Sequence, residues 1–168
     1  MKRRLLAGVF IFLIIFNLFS MVAFSEDFNV SAKSALLFDL DSGKILYEKN
    51  PDEILFPASI TKVMTGILVL EKGGLDNVLT ASYEAVHSIS RDSSNMGILV
   101  GEELTVRQLL EGLLIYSAGD AANVLAEYVA GSIEDFVVLM NQKAKELGMN
   151  NTSFINAHGE HDDGHYTT

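Results

Sequence analysis

Hydrophobic and polar positions divide the chain into a leader, a strand pair and a series of helices. A nearly continuous apolar run occupies residues 5–19, after the basic start Lys-Arg-Arg, and a small-x-small tripeptide ends at Ser25. This order is typical of a secretory signal peptide, which we place at residues 1–25, so that the exported chain starts at Glu26. The alternative is an uncleaved membrane anchor, but the run is short for a span of about 20 residues and contains Asn17.

Two short apolar runs, 34–38 and 45–47, flank an Asp-Ser-Gly sequence at residues 41–43. This arrangement predicts a β-hairpin. The apolar positions do not alternate cleanly, so we expect at least one of its strands to be covered on both faces. Between residues 75 and 91 the pattern is weaker, with some strand character at 78–80.

Helical periodicity dominates the remainder. It predicts four helices, at residues 59–71, 105–116, 121–130 and 132–147. The first is apolar nearly all round and is therefore expected to be central and buried. Three polar residues are expected to cap the others: Thr105, Asp120 and Ser132. Gln108 completes a capping box with the first of these. Residues 150–168 read as polar loop, and strands followed by a block of helices indicate an α+β fold.

Composition narrows the class of protein. The chain has 168 residues, of which 49% are hydrophobic, enough for one domain with a real core. The absence of Cys excludes a disulfide scaffold and thiolate metal sites. A net charge of −10 provides no electrostatic footprint for nucleic acid, so we expect no such partner.

The first candidate for chemistry is Ser59-Ile60-Thr61-Lys62. A Ser and a Lys three residues apart at a helix start lie on one face. A serine hydroxyl needs an adjacent base to become a nucleophile. A lysine can be that base only if burial or a neighbouring positive charge lowers its pKa toward neutrality, and a buried helix start supplies the burial. Backbone N–H groups at the helix start could hold an oxyanion. The alternative is that Ser59 only caps the helix and that Lys62 is solvated.

Two further sites are candidates. Ser117, followed by Ala118 and Gly119 on a turn between two helices, could relay a proton, or it could be an ordinary loop serine. Ser93-Ser94-Asn95 is a third serine-containing sequence, and it fits the pattern S-x-N by spacing alone. A divalent metal could bind a cluster of imidazoles and carboxylates near the end of the chain, or the cluster could be a polar surface loop. Its members are His158, Glu160, His161, Asp162, Asp163 and His165.

Taken together, these pieces resemble the D-alanyl-D-alanine carboxypeptidases, the low-molecular-mass penicillin-binding proteins. The resemblance lies in an ordered series of stretches that covers nearly all of the expected exported chain. They are residues 39–50, 57–65, 101–106, 109–115 and 117–122, followed by 151–154, 161–162 and 165–168. The short signature S-x-x-K, at residues 59–62, is shared with β-lactamases. The resemblance implies an α+β fold of the β-lactamase/transpeptidase type, in which helices pack on an antiparallel sheet.

The resemblance also implies roles. Ser59 resembles the acylated nucleophile, Lys62 the general base and Ser117 the serine that passes a proton to the leaving group. The implied substrate is a peptidoglycan stem peptide ending in D-Ala-D-Ala, and β-lactams are the implied inhibitors. The implied location is the bacterial cell envelope, and no cofactor or metal is implied.

Two departures from the family pattern stand out. The middle motif is usually S-x-N, whereas its third residue here is Gly119, which has no amide to bind substrate or to orient the lysine. The third motif, K-T-G, is absent, since no Lys follows Lys145. We therefore expect residues 26–168 to be the N-terminal portion of a catalytic domain, truncated before the third-motif strand. Membrane anchoring is expected only through the missing C-terminal part.

Three alternative functions stay open. A serine β-lactamase shares S-x-x-K, but the S-D-N motif of class A enzymes is missing. A non-catalytic fragment of the cell envelope would fit Gly119 and the missing third motif. Metal binding by the cluster that contains His158 and His161 is the third.

Overall fold

The structure is a computed structural model that describes residues 30–168, and the chain divides into two compact units between Lys49 and Asn50. The predicted signal peptide, residues 1–25, lies outside the described residues. Within the described part, no helix has both the length and the apolar character needed to cross a membrane.

The first unit contains the predicted β-hairpin. β1 (Ala35–Asp39) pairs antiparallel with β2 (Lys44–Lys49), and a bulge follows Leu37. At the turn, Gly43 has a φ of 70° and its N–H donates to the Asp39 carbonyl oxygen over 2.9 Å. Glycine adopts positive φ without steric cost, which is why the chain reverses at this residue.

The side chains of this hairpin are largely exposed. Leu36 and Leu46 each expose 61% of their surface, and Phe38 exposes 46%. The prediction that one strand would be covered on both faces is therefore wrong for the described structure. Two strands alone supply no second layer, so the described part of this unit leaves these apolar side chains exposed.

Within residues 50–168, five α-helices and one small sheet share a core. The helices are α1 (Thr61–Lys72), α2 (Tyr83–His87), α3 (Val106–Ile115), α4 (Gly119–Ala130) and α5 (Ile133–Glu146). β3 (Val78–Thr80) pairs antiparallel with β4 (Glu103–Thr105). α4 packs against α1, α2, α3 and α5, and its Ala122 and Leu125 are fully buried. The α+β class is as predicted, although strands and helices interleave here instead of forming two blocks.

Two of the three predicted helix caps are confirmed. The side chain of Thr105 accepts a hydrogen bond from the N–H of Gln108, whose own side chain accepts from the Thr105 N–H. At α5, Ser132 accepts from the N–H of Asp135. In both caps the donor and the acceptor lie three residues apart in the chain. Such local hydrogen bonds can be predicted from the spacing of residue types in the sequence.

Asp120 is not the predicted cap. α4 begins at Gly119 after Ala118, so Asp120 lies within the first turn. Its buried carboxylate accepts hydrogen bonds from the N–H groups of Met96 over 3.1 Å and of Ile98 over 3.0 Å. Backbone donors from another segment thus engage the carboxylate, and satisfying them outweighs the local capping preference.

The first predicted helix begins with a separate turn. Ala58–Ile60 forms a 3₁₀ turn, and α1 follows directly. The expectation that this helix is buried all round is wrong, since Val63 and Leu70 are 55% and 57% exposed. The inward face instead includes Lys62 and Thr65, which are both buried. The neighbours within residues 50–168 cover one side of the helix, and they bind its polar groups.

The terminal segment, defined as residues 150–168, contains no helix or strand, in agreement with the prediction of a loop. It is not a solvated tail, however. One isolated bridge joins Ser153 to Tyr166 within it, and another ties it to Leu55. Phe154 is only 4% exposed. The terminal segment is therefore an ordered part of the second unit.

Candidate active site

Three polar side chains meet at the start of α1. Ser59 lies in the 3₁₀ turn, Lys62 lies in the first turn of α1, and Ser117 lies between α3 and α4. Ser117 Oγ donates to Ser59 Oγ over 2.8 Å, and Lys62 Nζ lies 3.3 Å from Ser59 Oγ. Neither the 3₁₀ turn nor α1 has a side-chain cap, so Ser59 is not a capping residue.

The backbone around these hydroxyls adopts conformations that are uncommon outside glycine. Ala58 has a φ of 50° and Ser117 a φ of 58°. A residue with a Cβ pays about 1–2 kcal/mol for the left-handed conformation. Gly159, whose φ is 87°, packs so closely on the carbonyl of Ala58 that a Cβ would not fit there. Such strain persists where surrounding contacts hold it and is frequent at functional sites.

Lys62 is buried beside an uncharged acceptor. Its side chain is 6% exposed, and Nζ donates to the carbonyl oxygen of His158 over 2.5 Å. Burial lowers the pKa of Lys62, because a charged ammonium loses its hydration there. A neutral amine has a lone pair for the proton of Ser59 while it still donates to His158. The arrangement can thus support proton transfer from Ser59.

A turn in the terminal segment presents this carbonyl. Asn156 Oδ1 accepts hydrogen bonds from the N–H groups of His158 and Gly159, over 3.2 and 2.6 Å. Its Nδ2 donates to the carbonyl of Glu160 over 2.8 Å. The amide side chain therefore fixes the direction in which the His158 carbonyl points, toward Lys62.

The His and acidic cluster is not assembled as a metal site. No three such side chains come together in a way that could hold a metal ion among the described residues. His158 is 5% exposed, and burial lowers its pKa to about 4, with Lys62 and His165 acting in the same direction and Glu160 opposing. The sequence suggested His158 as a metal ligand. In the structure it is the backbone carbonyl oxygen of His158 that contacts Lys62.

Gly119 lies against the same turn. A Cβ at this position would lie 3.6 Å from His158 Cβ and 3.3 Å from Ile89 Cγ2. The N–H of Gly119 donates to the carbonyl of Ser94 over 2.8 Å. Residues 93–95, which fit S-x-N by spacing alone, thus contact Gly119 through the backbone carbonyl of Ser94.

Comparison with known proteins agrees with this geometry. A family model described as D-alanyl-D-alanine carboxypeptidase matches residues 21–168. The D-alanyl-D-alanine carboxypeptidase DacF of Bacillus subtilis is 46% identical over 143 residues, which covers 82% of this chain and 36% of DacF.

Solved structures give the same result. The carboxypeptidase DacD of Francisella tularensis aligns with a TM-score of 0.79 at 36% identity, over 88% of this chain and 36% of that one. Penicillin binding protein 5 of Haemophilus influenzae aligns with a TM-score of 0.78 at 32% identity, over 83% of this chain and 42% of that one. The chain therefore spans less than half the length of these relatives, and the expected β-lactamase/transpeptidase type of fold is confirmed. Taken with the site geometry, these matches show that the chain belongs to the D-alanyl-D-alanine carboxypeptidase family.

Proposed function

We propose that this protein is a serine-type D-alanyl-D-alanine carboxypeptidase that cleaves peptidoglycan stem peptides through an acyl-enzyme on Ser59. The observation that carries the proposal is the convergence of Lys62 Nζ and Ser117 Oγ on Ser59 Oγ, at 3.3 and 2.8 Å. Membership of the family supplies the class of reaction. The burial and lowered pKa of Lys62 support its role as the base.

The first step forms the acyl-enzyme. Neutral Lys62 takes the proton of Ser59, and Oγ attacks the carbonyl carbon that precedes the terminal D-Ala. A C–O bond forms, the C–N bond breaks, and the departing amine receives the proton from Lys62 through the hydroxyl of Ser117. Water then attacks the ester, which releases the shortened peptide and returns the proton to Ser59.

A β-lactam enters the same first step. Its strained ring carbonyl accepts Ser59 Oγ, and its ring C–N bond breaks, but the amine stays attached to the acyl group. The proposal therefore includes penicillin as a covalent ligand at Ser59, and it places the protein on the outer side of the cytoplasmic membrane, where peptidoglycan is. The predicted signal peptide supports that location.

Covalent labelling tests the proposal. The chain is incubated with benzylpenicillin, its intact mass is measured, and the adduct is located by peptide mapping. We expect one penicillin per chain, attached at Ser59, and we expect no adduct on Ser59→Ala, because the nucleophile is gone. Ser93→Ala is the matched control, since it removes a serine hydroxyl from the other S-x-N-like segment, and it should label normally.

Two results would contradict the proposal. Normal labelling of the Ser59→Ala variant would show that another residue reacts. An absence of adduct on the unsubstituted chain, with circular dichroism showing that it is folded, would favour the non-catalytic fragment for this chain.

A further inference from the structure

A second polar contact reaches the start of α1 from the terminal segment. Thr61, which lies between Ser59 and Lys62 in sequence, is 2% exposed, and its Oγ1 lies 2.8 Å from Nε2 of His165. The N–H of Ile155 meets the other ring nitrogen, Nδ1, at 3.1 Å. The imidazole of His165, which is 1% exposed, therefore bridges the first turn of α1 and the backbone of the terminal segment.

The two contacts determine the tautomer of His165. A backbone N–H can only donate, so Nδ1 must be the acceptor, and the proton of the neutral ring is on Nε2. Nε2–H then donates to Thr61 Oγ1. A doubly protonated ring would direct a second N–H at the N–H of Ile155, and the bridge between the two segments would lose one of its two bonds.

The surroundings favour the neutral ring. Burial lowers the pKa of His165, and the carboxylate of Asp162 partly opposes this effect. His158 is a second buried histidine of the terminal segment, and it interacts electrostatically with His165 and with Lys62 of α1. Phe154 closes the remaining side with an edge contact, its ring centroid 5.6 Å from that of His165.

We propose that His165 is a positioning residue for the Ser59–Lys62 pair. Its neutral ring joins Thr61 to Ile155 through two hydrogen bonds, an arrangement that we call the clamp, and protonation of the ring opens the clamp. The proposal rests on the proposed function of Ser59. Thr61 directly precedes Lys62 in the chain and follows Ser59 by two residues. The segment that the clamp holds also carries the His158 carbonyl that binds Lys62. Loss of the clamp therefore loosens the lysine and the serine together.

The test compares acylation rates across pH. Rates of benzylpenicillin labelling are measured for the unsubstituted chain, His165→Gln and His165→Ala. The Gln amide offers one acceptor and one donor with a spacing similar to that of the ring nitrogens, and it does not titrate in this range. We expect His165→Ala to be about tenfold slower at neutral pH, because bonds worth about 1.5 kcal/mol are lost, and His165→Gln to recover most of that rate.

At acidic pH we expect the relative labelling rates of the unsubstituted chain and His165→Gln to change. One pH unit below the midpoint of His165, only about a tenth of the rings are neutral. With protonated molecules labelling as slowly as His165→Ala, the unsubstituted chain should label about fivefold more slowly relative to His165→Gln than at neutral pH. Titration of Lys62 affects both proteins alike and cancels in this ratio. The control is His161→Gln in the same segment. Its side chain is 66% exposed, and the pH profile should not change. Superimposable profiles for His165→Gln and the unsubstituted chain would overturn the proposal.

A second measurement does not depend on acylation. Nitrogen NMR of the histidine rings at neutral pH should report His165 as the Nε2–H tautomer, assigned by its disappearance in His165→Gln. A proton on Nδ1 would overturn the clamp even in an active protein. A folded chain that shows the expected tautomer but is not acylated at any pH would reject the proposed function of this chain, and with it the positioning role, while leaving the clamp itself in place.

Discussion

At the residue scale, burial lowers the pKa of an otherwise ordinary lysine. Lys62 is 6% exposed, and the atom beside its Nζ is the neutral His158 carbonyl oxygen. An anionic neighbour would have stabilised the ammonium, whereas a carbonyl offsets less of the lost hydration, so the pKa is lowered. The structure thereby removes the alternative of a solvated Lys62.

Gly119 provides a residue-scale prediction. A side chain here would lie close to His158, so Gly119→Asn should add an amide beside the group that holds Lys62. A hydrogen bond to a charged or reacting group contributes about 1.5–3 kcal/mol, which corresponds to about one to two decades in rate. We expect benzylpenicillin to label Gly119→Asn about tenfold faster or more, measured by the time course of the intact mass.

Gly119→Ala is the matched control for this change. It introduces the same Cβ, 3.3 Å from Ile89 Cγ2, without the amide, and so reports the cost of the tight contact. Equal labelling rates for the Asn and Ala variants would show that the amide contributes nothing at this position.

At the scale of elements, the site depends on how the amino ends of α1 and α4 are held. Neither helix has a side-chain cap. α1 is held by the terminal segment, including a hydrogen bond from Thr65 Oγ1 to the carbonyl of Ala157 over 2.6 Å. α4 is held through the carboxylate of Asp120, which binds the 96–98 backbone. Contacts between elements thus take the place of side-chain caps at both helices. Ser59 and Lys62 lie at the start of α1, and Ser117 lies just before α4.

Asp120→Asn tests this tether. Its amide nitrogen would face backbone N–H groups that now donate to a carboxylate, so at least one buried donor loses its acceptor. We expect the free energy of unfolding to fall by about 1.5–3 kcal/mol, measured by urea denaturation. Asp135→Asn, which changes an exposed carboxylate in the first turn of α5, should cost much less. Equal losses in the two variants would mean that the tether adds no stability.

At the scale of the whole molecule, stability is linked to pH through buried histidines. His158 and His165 are 5% and 1% exposed, and both have lowered pKa values, chiefly because burial disfavours the charged ring. The unfolded chain binds a proton at such a histidine at higher pH than the folded chain does. Their contribution is therefore complete above the ordinary histidine pKa and decreases as the pH falls.

The resulting prediction concerns acid unfolding. The free energy of unfolding should decrease as the pH is lowered from 6.5 toward about 4, the interval between the ordinary and the folded pKa of His158. His158→Gln should flatten this decrease, whereas His87→Gln, at a position outside the buried core, should not. Denaturant titrations at several pH values measure the slope. A slope that is unchanged in His158→Gln would contradict the assignment to that residue.

The features that could be predicted in advance are those whose partners lie close together along the chain. The Asp-Ser-Gly turn, the Thr105 capping box and the Ser132 cap join residues a few positions apart, and backbone sterics specify them. The spacing of Ser59 and Lys62 likewise places them on one helical face. β4 and α2 escaped prediction, since three and five residues carry too little periodicity to be recognised.

Residue types and short spacings thus specify the candidate nucleophile Ser59, the adjacent Lys62 and most of the helices. Long-range packing specifies the environment in which they act. The His158 carbonyl reaches Lys62 across 96 residues, and His165 reaches Thr61 across 104. Asp120 binds the backbone N–H groups of Met96 and Ile98, 24 and 22 residues away. The free energy of such contacts depends on which groups are desolvated together, and only the folded chain defines that environment.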